Sequence, residues 1–190
     1  MRFFLFFSIL AITVNLWAAW EQDFEILKKR PRDYEPTGAI CEEIARIQFE
    51  KKYDSNQYTI EVGIAYDDSV RTIGELDVVV FDKQADEVIH IAEVKCWKDA
   101  GGGLEKAKEQ RQRFLANIRS NKNLTFRSTE TDKVYSTQQF KSVRQFSTIG
   151  QKGSIAEGYQ EELEYDLREL HKMRVEMLRC QDSGECIKPN

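Results

Sequence analysis

The chain has 190 residues and a formal net charge of −4, from 28 Lys and Arg against 32 Asp and Glu. This acidic balance excludes a protein that coats nucleic acid nonspecifically over its whole surface. Beyond the N-terminal segment, about 170 residues remain, which fits one domain with a hydrophobic core.

The first 19 residues have the features of a secretory signal peptide. A positively charged start is followed by an apolar run over residues 3–14, and small residues allow cleavage after Ala18 or Ala19. The run is shorter than the roughly 20 apolar residues that a membrane span needs. We therefore predict a secreted or periplasmic protein without stable membrane association after cleavage. An uncleaved membrane anchor is the alternative.

Residues 20–36 predict a partly helical lead-in that ends in a turn, because they are charged and contain Pro31 and Pro36. A helix is expected next, from Thr37 or Gly38 to about Tyr53. Its buried side would carry Ile40, Ile44, Ile47 and Phe49.

Two adjacent acids, Glu42 and Glu43, lie near the start of this helix. They differ by about 100° around the helix axis, so only one of them can face a site on the sheet. Either acid could instead stabilise the helix N-terminus through the helix dipole.

Three strands are predicted in the next forty residues. Residues 58–66 alternate apolar and smaller or polar side chains, which indicates a strand with one buried face. Residues 76–81 and 88–94 are rich in Val, Ile and Leu, and a polar break over residues 83–87 separates them. The latter pair therefore reads as neighbouring strands of a half-buried sheet.

Charged residues interrupt these strands at Asp77, Glu93 and Lys95. Alternation along a strand places Ile89, Ile91, Glu93, Lys95 and Trp97 on one face, opposite His90, Ala92, Val94 and Cys96. An unpaired charge on an apolar strand is costly to desolvate, unless the acids are surface groups on a solvated face.

A hard divalent cation would account for these charges. Carboxylates opposite each other on adjacent strands lie about 5 Å apart, and Mg²⁺ takes oxygen ligands at about 2.1 Å while keeping several waters. Lys95 lies about 6.6 Å along the strand from Glu93 and could position a metal-bound water. This arrangement suits hydrolysis of a phosphodiester bond.

After the third strand, Gly101, Gly102 and Gly103 form a flexible link, and a basic helix is expected over residues 104–119. Its inward side would hold Leu104, Ala107, Phe114, Leu115 and Ile118, which leaves Lys108, Gln110 and Arg111 to reach a phosphate. A fourth strand is expected at residues 124–127, completing an αβββαβ core.

The distribution of charge is more informative than its total. Residues 20–94 hold 9 Lys and Arg against 18 acids, residues 95–153 hold 13 against 5, and residues 154–190 hold 5 against 9. The basic middle segment begins at the candidate site, where a polyanion would need it. We predict nucleic-acid contacts from Lys98, Lys108, Gln110 and Arg111, with a solvated helix face as the alternative.

Aromatic residues Tyr135, Phe140 and Phe146 alternate with basic and amide side chains in this segment. They could stack on bases or pack as half-buried strand residues.

Residues 157–179 predict one helix with an apolar stripe of Tyr159, Leu163, Leu167, Leu170 and Met177. The stripe would pack on the core or form a homodimer. His171 is expected at the surface. His90 falls on the strand face opposite Glu93, so neither histidine is assigned a ligand role.

The chain has four cysteines, which can form disulfides if the protein is exported to an oxidising compartment. Cys180 and Cys186 flank a short loop and are the best pair for a local disulfide. Cys41 and Cys96 then remain, either bridged between the first helix and the third strand or buried separately.

The acid and lysine pattern resembles a known family, the PD-(D/E)XK nuclease superfamily. Within it, Gly74-Glu75-Leu76-Asp77 followed by Ala92-Glu93-Val94-Lys95 is most similar to the Holliday-junction-resolvase-like branch. That branch also has a helix opening with G-x-x-x-E, as in Gly38-Ala39-Ile40-Cys41-Glu42, and a basic helix after the third strand, as in residues 104–119. The resemblance covers residues 36–128 and leaves out the N-terminal segment, the C-terminal tail and the local cysteine pair.

The resemblance implies an α/β fold with a restriction-endonuclease-like αβββαβ core, a mixed sheet flanked by helices, and an added C-terminal helix. It implies a catalytic set of Asp77, Glu93, Lys95 and Glu42, with Mg²⁺ or Mn²⁺ held by Asp77, Glu93 and the Val94 carbonyl. It favours Glu42 over Glu43 as the helix acid.

The expected divisions are a signal peptide (1–19), a lead-in (20–36), a nuclease-like core (37–153) and a C-terminal helix with a cysteine loop (154–190). The expected function is that of an exported metal-dependent nuclease that hydrolyses phosphodiester bonds of DNA, with RNA as the alternative substrate, by means of a metal-activated water. The alternative is a catalytically inactive nuclease-like fold that binds nucleic acid or protein.

Overall fold

The structure is a computed structural model that describes residues 19–120 and 123–189. Apart from Ala19, the predicted signal peptide lies outside the described residues. Within those residues, no helix is both long enough and apolar enough to cross a membrane.

Residues 19–120 and 123–189 form four α-helices and a seven-stranded sheet. The helices are α1 (residues 19–27), α2 (Ala39–Lys52), α3 (Ala100–Arg119) and α4 (Leu167–Ser183). The strands are β1 (Tyr58–Asp67), β2 (Thr72–Asp82), β3 (Glu87–Lys95), β4 (Thr125–Ser128), β5 (Val134–Tyr135), β6 (Gln145–Gly150) and β7 (Glu161–Glu162). Short 3-10 helices cover Thr137–Phe140 and Ser154–Glu157.

The sheet is mixed, with the strand order β5-β4-β1-β2-β3-β6-β7. Strands β1, β2 and β3 form an antiparallel meander, whereas β6 runs parallel to β3 and β7 runs parallel to β6. The crossover from β3 to its parallel neighbour includes α3, as parallel strands require a long connection. The predicted α/β class with a mixed sheet is confirmed.

Helices cover both faces of the sheet. The first hydrophobic cluster joins α2, α4 and residues of the lead-in such as Leu27 and Tyr34 to one face. The second cluster joins Phe114 of α3 to the other face. The lead-in and the C-terminal helix therefore share a core with the central strands.

The predicted fourth strand exists, but it occupies a different place in the sheet. Strand β4 pairs with β1, near one edge, and the strand beside β3 is β6. The sequence analysis located a strand after α3 correctly but could not tell which neighbour it would choose.

Three aromatic residues that were candidates for base stacking are buried in the second cluster. Tyr135, Phe140 and Phe146 all pack there, around Phe114 and Phe126. They serve the core, and none of them is exposed to a base.

The predicted C-terminal helix is wrong in its first ten residues. Gly158 adopts a left-handed conformation with φ of 98°, which ends the preceding 3-10 helix. Helix α4 starts only after Asp166, whose side chain accepts from the backbone N–H of Glu169 in a capping box. Tyr159 and Leu163 are buried as predicted, but they lie before the helix.

One further departure is a register shift in the β2–β3 ladder, between the pairs Val80–His90 and Phe81–Val88. It leaves Ile89 unpaired and turned toward the first cluster, whereas Ile91 packs in the second. The predicted sharing of one face therefore fails at Ile89.

Candidate functional site

The candidate site lies where β2 and β3 separate. Their ladder ends at the pair Val78–Ala92, although the same register would next place Asp77 opposite Glu93. Beyond this point β2 stays paired with β1, and β3 stays paired with β6. The two predicted acids thus stand at the apex of a fork in the sheet.

A change of face on β1 and β2 accompanies the fork. Val62 and Val78 pack in the first cluster, whereas their successors in the ladder, Ile64 and Leu76, pack in the second. Gly63 lies between Val62 and Ile64 with φ of 66°, a conformation that favours glycine. The Asp77 side chain, which follows Leu76, enters the gap between β2 and β3.

Asp77 replaces the missing ladder contact with its carboxylate. The backbone N–H of Val94 donates to Asp77 Oδ2 at 2.7 Å. The fork therefore leaves no unpaired amide on β3 at this point, and the carboxylate is fixed relative to both strands.

Lys95 brings three oxygens together around one positive charge. Its Nζ donates to Asp77 Oδ2 at 2.6 Å and to the Val94 carbonyl at 3.1 Å, and it lies 3.6 Å from Glu93 Oε2. These three oxygens belong to the three residues that the family resemblance implies as metal ligands.

Glu93 is the least compensated charge in this group. It is fully buried, and neither carboxylate oxygen has a hydrogen-bond donor. Burial and the neighbouring Asp77 carboxylate raise the pKa of Glu93 well above its ordinary value, although Lys95 opposes the shift. The site therefore favours either a protonated Glu93 or a cation beside it.

Lys95 remains an ammonium in this setting. Burial lowers its pKa, but the carboxylates of Asp77 and Glu93 outweigh burial and raise the pKa above its ordinary value. The lysine can therefore orient and donate, whereas it is a poor proton acceptor.

Of the two helix acids, Glu42 faces the site. It lines a cleft together with Lys95, whereas Glu43 is fully buried and pairs with Arg30 at 2.6 Å. Burial and the Asp77 carboxylate raise the pKa of Glu42 to about 8, and Arg32 opposes the shift.

Two residues near Glu42 were missed by the sequence analysis. Arg32 donates to Glu42 Oε2 at 2.5 Å and to Glu130 at 3.0 Å. Burial and the Asp77 carboxylate raise the pKa of Glu75, and Arg32 opposes the shift. The position of Glu75, two residues before Asp77 on the same strand, could have indicated that it lies near the site. No feature of the sequence indicated this for Arg32, which lies in the irregular lead-in.

The cleft beside these acids has a volume of about 270 Å³. One wall is α2 and the end of β3, and the other is a face of α3. It is lined by Thr37, Gly38, Glu42, Val94, Lys95, Cys96, Trp97, Lys106, Gln110 and Arg113.

Only Gln110 of the four predicted nucleic-acid contacts lines this cleft. Lys108 is exposed and pairs with Glu105 at 2.7 Å, and the Arg111 guanidinium lies over the Phe146 ring at 5.4 Å. Lys98 lines a separate cavity of about 530 Å³ beside α4.

Lys106 and Arg113 of α3 reach the cleft instead. They flank Gln110 at spacings of four and three residues, so the three side chains share one face of the helix. That spacing was visible in the sequence, but the face that meets the cleft depends on how α3 docks on β3. Glycine is required at position 103, since a Cβ there would lie 2.7 Å from the Tyr159 hydroxyl oxygen.

Both cysteine pairs are disulfides: Cys180–Cys186, as predicted, and Cys41–Cys96, which the sequence left open. His90 lies apart from the acids, with its ring nitrogens 2.8 Å from the Tyr53 hydroxyl and 2.8 Å from Ser147 Oγ. Burial lowers the pKa of His90 to about 4, so it stays neutral. His171 is exposed, as predicted.

In the described ranges, no group of three or more His, Cys, Asp or Glu side chains is arranged to hold a metal ion. Comparisons with protein-family models, with curated proteins and with solved structures gave no match.

Proposed function

We propose that the protein is a metal-dependent nuclease that hydrolyses phosphodiester bonds of DNA, with Asp77, Glu93 and Lys95 at its active site. One observation carries the proposal. Three oxygens, from Asp77, Glu93 and the Val94 carbonyl, surround a single cationic atom at the apex of the sheet fork. Such a convergence is what a hard cation requires.

The donor set fits Mg²⁺ or Mn²⁺. All three groups are oxygen donors, and Glu93 is a buried carboxylate with no hydrogen-bond donor on either oxygen. Two side chains and one backbone carbonyl would hold the ion, which is compatible with the lack of a three-side-chain cluster in the described ranges. When bound, such an ion activates water and stabilises the charge that develops on the phosphate.

The other residues of the site have roles that follow from their charge. The Lys95 ammonium orients the attacking water and attracts the scissile phosphate. Glu42 lies across the cleft with a pKa of about 8, so it can exchange a proton near neutral pH. Arg32 fixes the Glu42 carboxylate through an ion pair.

The substrate path would follow α3. Lys106 and Arg113 add positive charge beside the acids, and Gln110 lies between them. Trp97 is 46% exposed at the same cleft and offers a flat face on which a base can stack. This combination suits a polynucleotide better than an isolated phosphate.

We also propose that the central elements form a restriction-endonuclease-like core of the PD-(D/E)XK superfamily. Support comes from the order α2, β1, β2, β3, α3 and from β6 as the parallel strand next to β3. Secretion or a periplasmic location belongs to the same proposal, supported by the two disulfides.

The test is cleavage of single-stranded, double-stranded and branched DNA, and of RNA, by the purified protein with Mg²⁺, Mn²⁺ or EDTA. We expect cleavage with either ion, none with EDTA, and none in Asp77→Ala. Equal residual cleavage in the wild type and Asp77→Ala would refute the assignment of the site.

A second candidate function, an inactive nuclease-like fold that binds a partner, has one observation in its favour. Lys95 Nζ lies 2.6 Å from Asp77 Oδ2 and neutralises that carboxylate. Calorimetric Mn²⁺ binding without cleavage of any polynucleotide would favour this candidate.

A further inference from the structure

The Cys41–Cys96 disulfide joins the two sides of the candidate active site. Cys41 directly precedes Glu42 on α2, and Cys96 directly follows Lys95 at the end of β3. The two cysteines are 55 residues apart in sequence, and their Cα atoms are 6.4 Å apart. The bond therefore connects the neighbours of Glu42 and Lys95 covalently.

The end of β3 has little other support on the side of the fork. Its last ladder pair is Lys95 with Gly150 of β6, and β2 has already separated after Ala92. Across the fork, the Asp77 carboxylate holds this segment by accepting from the Val94 N–H and from Lys95 Nζ. The disulfide adds a covalent tie from the end of β3 to α2.

The other disulfide lies outside the cleft of the candidate site. Cys180 and Cys186 close a short loop at the end of α4, where Ile187 donates to the Lys28 carbonyl. Neither cysteine lines the cleft that holds Glu42 and Lys95. This pair is thus a matched control for the first one.

We propose that the Cys41–Cys96 disulfide positions Lys95 and Glu42 for catalysis, and that its formation switches the site on. The inference rests on the proposed nuclease function. In a reducing compartment the bond is absent, α2 and the end of β3 can separate, and the site is not assembled. In an oxidising compartment the bond forms and the site is complete.

The chemical change is a thiol–disulfide exchange. The Sγ atoms of Cys41 and Cys96 join as each thiol loses one proton and one electron, and a disulfide of an oxidant protein or of glutathione accepts them and becomes two thiols. The consequence is biological as well as chemical. A nuclease that is assembled only after oxidation spares the nucleic acid of the cell that makes it.

The experiment uses the full chain carrying Cys180→Ser and Cys186→Ser, so that Cys41–Cys96 is the only disulfide. The protein is equilibrated in glutathione buffers of graded redox ratio, and alkylation with mass spectrometry gives the oxidised fraction. DNA cleavage and amide hydrogen exchange at Val94 and Lys95 are measured on the same samples.

We expect both readouts to follow the oxidised fraction. Full reduction should lower kcat by about 10²-fold, because a displacement of about 1 Å suffices for that loss. The Val94 amide should exchange at least about tenfold faster, since its bond to Asp77 opens more often. Reoxidation should restore both values, and the untreated double variant should match the wild type within about twofold.

Three outcomes would overturn the proposal. The first is unchanged cleavage and Val94 exchange in fully alkylated protein. The second is uniform acceleration of exchange throughout the core, which would make the bond a general stabiliser. The third is a rise in KM with kcat unchanged on reduction, which would make the bond a support for substrate binding and not for catalysis. If neither the oxidised nor the reduced protein cleaves DNA, the proposed nuclease function is wrong. Hydrogen exchange at Val94 then still shows whether the disulfide positions the end of β3.

Discussion

The carboxyl of Glu93 is expected to destabilise the folded chain, so its neutralisation should stabilise it. Glu93 is fully buried without a hydrogen-bond donor, and burial together with Asp77 raises its pKa well above the ordinary value. Glu93→Gln keeps the shape and removes the charge. A buried charge costs more than a neutral amide in the same place, and the Lys95 ammonium, 3.6 Å from Glu93 Oε2, offsets only part of that extra cost. We therefore expect the free energy of unfolding to rise by on the order of 1 kcal/mol at pH 8 without divalent ions.

The pH dependence gives the sign of the same effect. Below its unfolded pKa of about 4.3, a carboxyl whose pKa is raised by folding is protonated in both states and does not lower the free energy of unfolding. As the pH rises toward the folded pKa, the unfolded state loses its proton first, and the free energy of unfolding decreases. The advantage of Glu93→Gln should thus be small near pH 4 and grow toward pH 8.

Urea unfolding followed by circular dichroism at pH 4.5 and pH 8, with EDTA present, measures both values. Thermal unfolding provides a check, since 1 kcal/mol moves Tm by about 2–4 °C in a domain of this size. Glu87→Gln on the same strand is the control and should stay within about 0.5 kcal/mol of the wild type. A Glu93→Gln protein that is less stable than the wild type at pH 8 would refute the reasoning.

Three further predictions concern the other groups of the site. Folding raises the pKa of Glu42 to about 8, so the wild type should lose stability as the pH rises from 4.5 to 8, and Glu42→Gln should lose less. If urea unfolding gives the same loss of unfolding free energy over this pH range in both proteins, the prediction is wrong. Lys95→Met should abolish cleavage. It should also tighten Mn²⁺ binding, since Nζ now lies among the proposed ligand oxygens. Weaker Mn²⁺ binding in calorimetry would contradict the proposal that these oxygens bind the ion. Lys106→Ala should weaken DNA binding and reduce the salt slope by about 1, whereas Lys108→Ala should change both little, because Lys106 lines the cleft and Lys108 does not. Equal effects of the two variants in fluorescence anisotropy would contradict the placement of α3.

Local patterns predicted the central elements well. Alternation of apolar residues located β1, β2 and β3, and the helical spacing of Ile40, Ile44 and Ile47 gave the buried side of α2. These features depend on near neighbours in the sequence, which is why they could be inferred without a structure.

The candidate site was predicted in part. The sequence brought Asp77, Glu93 and Lys95 together, and the structure places them around one charge. It could not show the fork between β2 and β3, because the end of a ladder depends on how two strands twist and on the left-handed Gly63 of β1. It also could not show that Lys106 and Arg113, and not Lys108, face the cleft, because the docking of α3 on β3 is a tertiary property.

Long-range choices explain the remaining differences. Strand β4 pairs with β1 and β6 pairs with β3, and local sequence does not encode which of these two short segments lies beside β3. The start of α4 at Leu167 was missed because the apolar spacing of Tyr159 and Leu163 continues the stripe of the helix.

The most direct measurement of the central claim is a crystal of the protein soaked in Mn²⁺ and recorded at a wavelength where manganese scatters anomalously. We expect one peak bonded to the carboxylates of Asp77 and Glu93 and to the Val94 carbonyl, with Lys95 Nζ moved off these oxygens. A protein that shows no peak at this place, or a peak held by other residues while Lys95 keeps its contacts, would contradict the central claim.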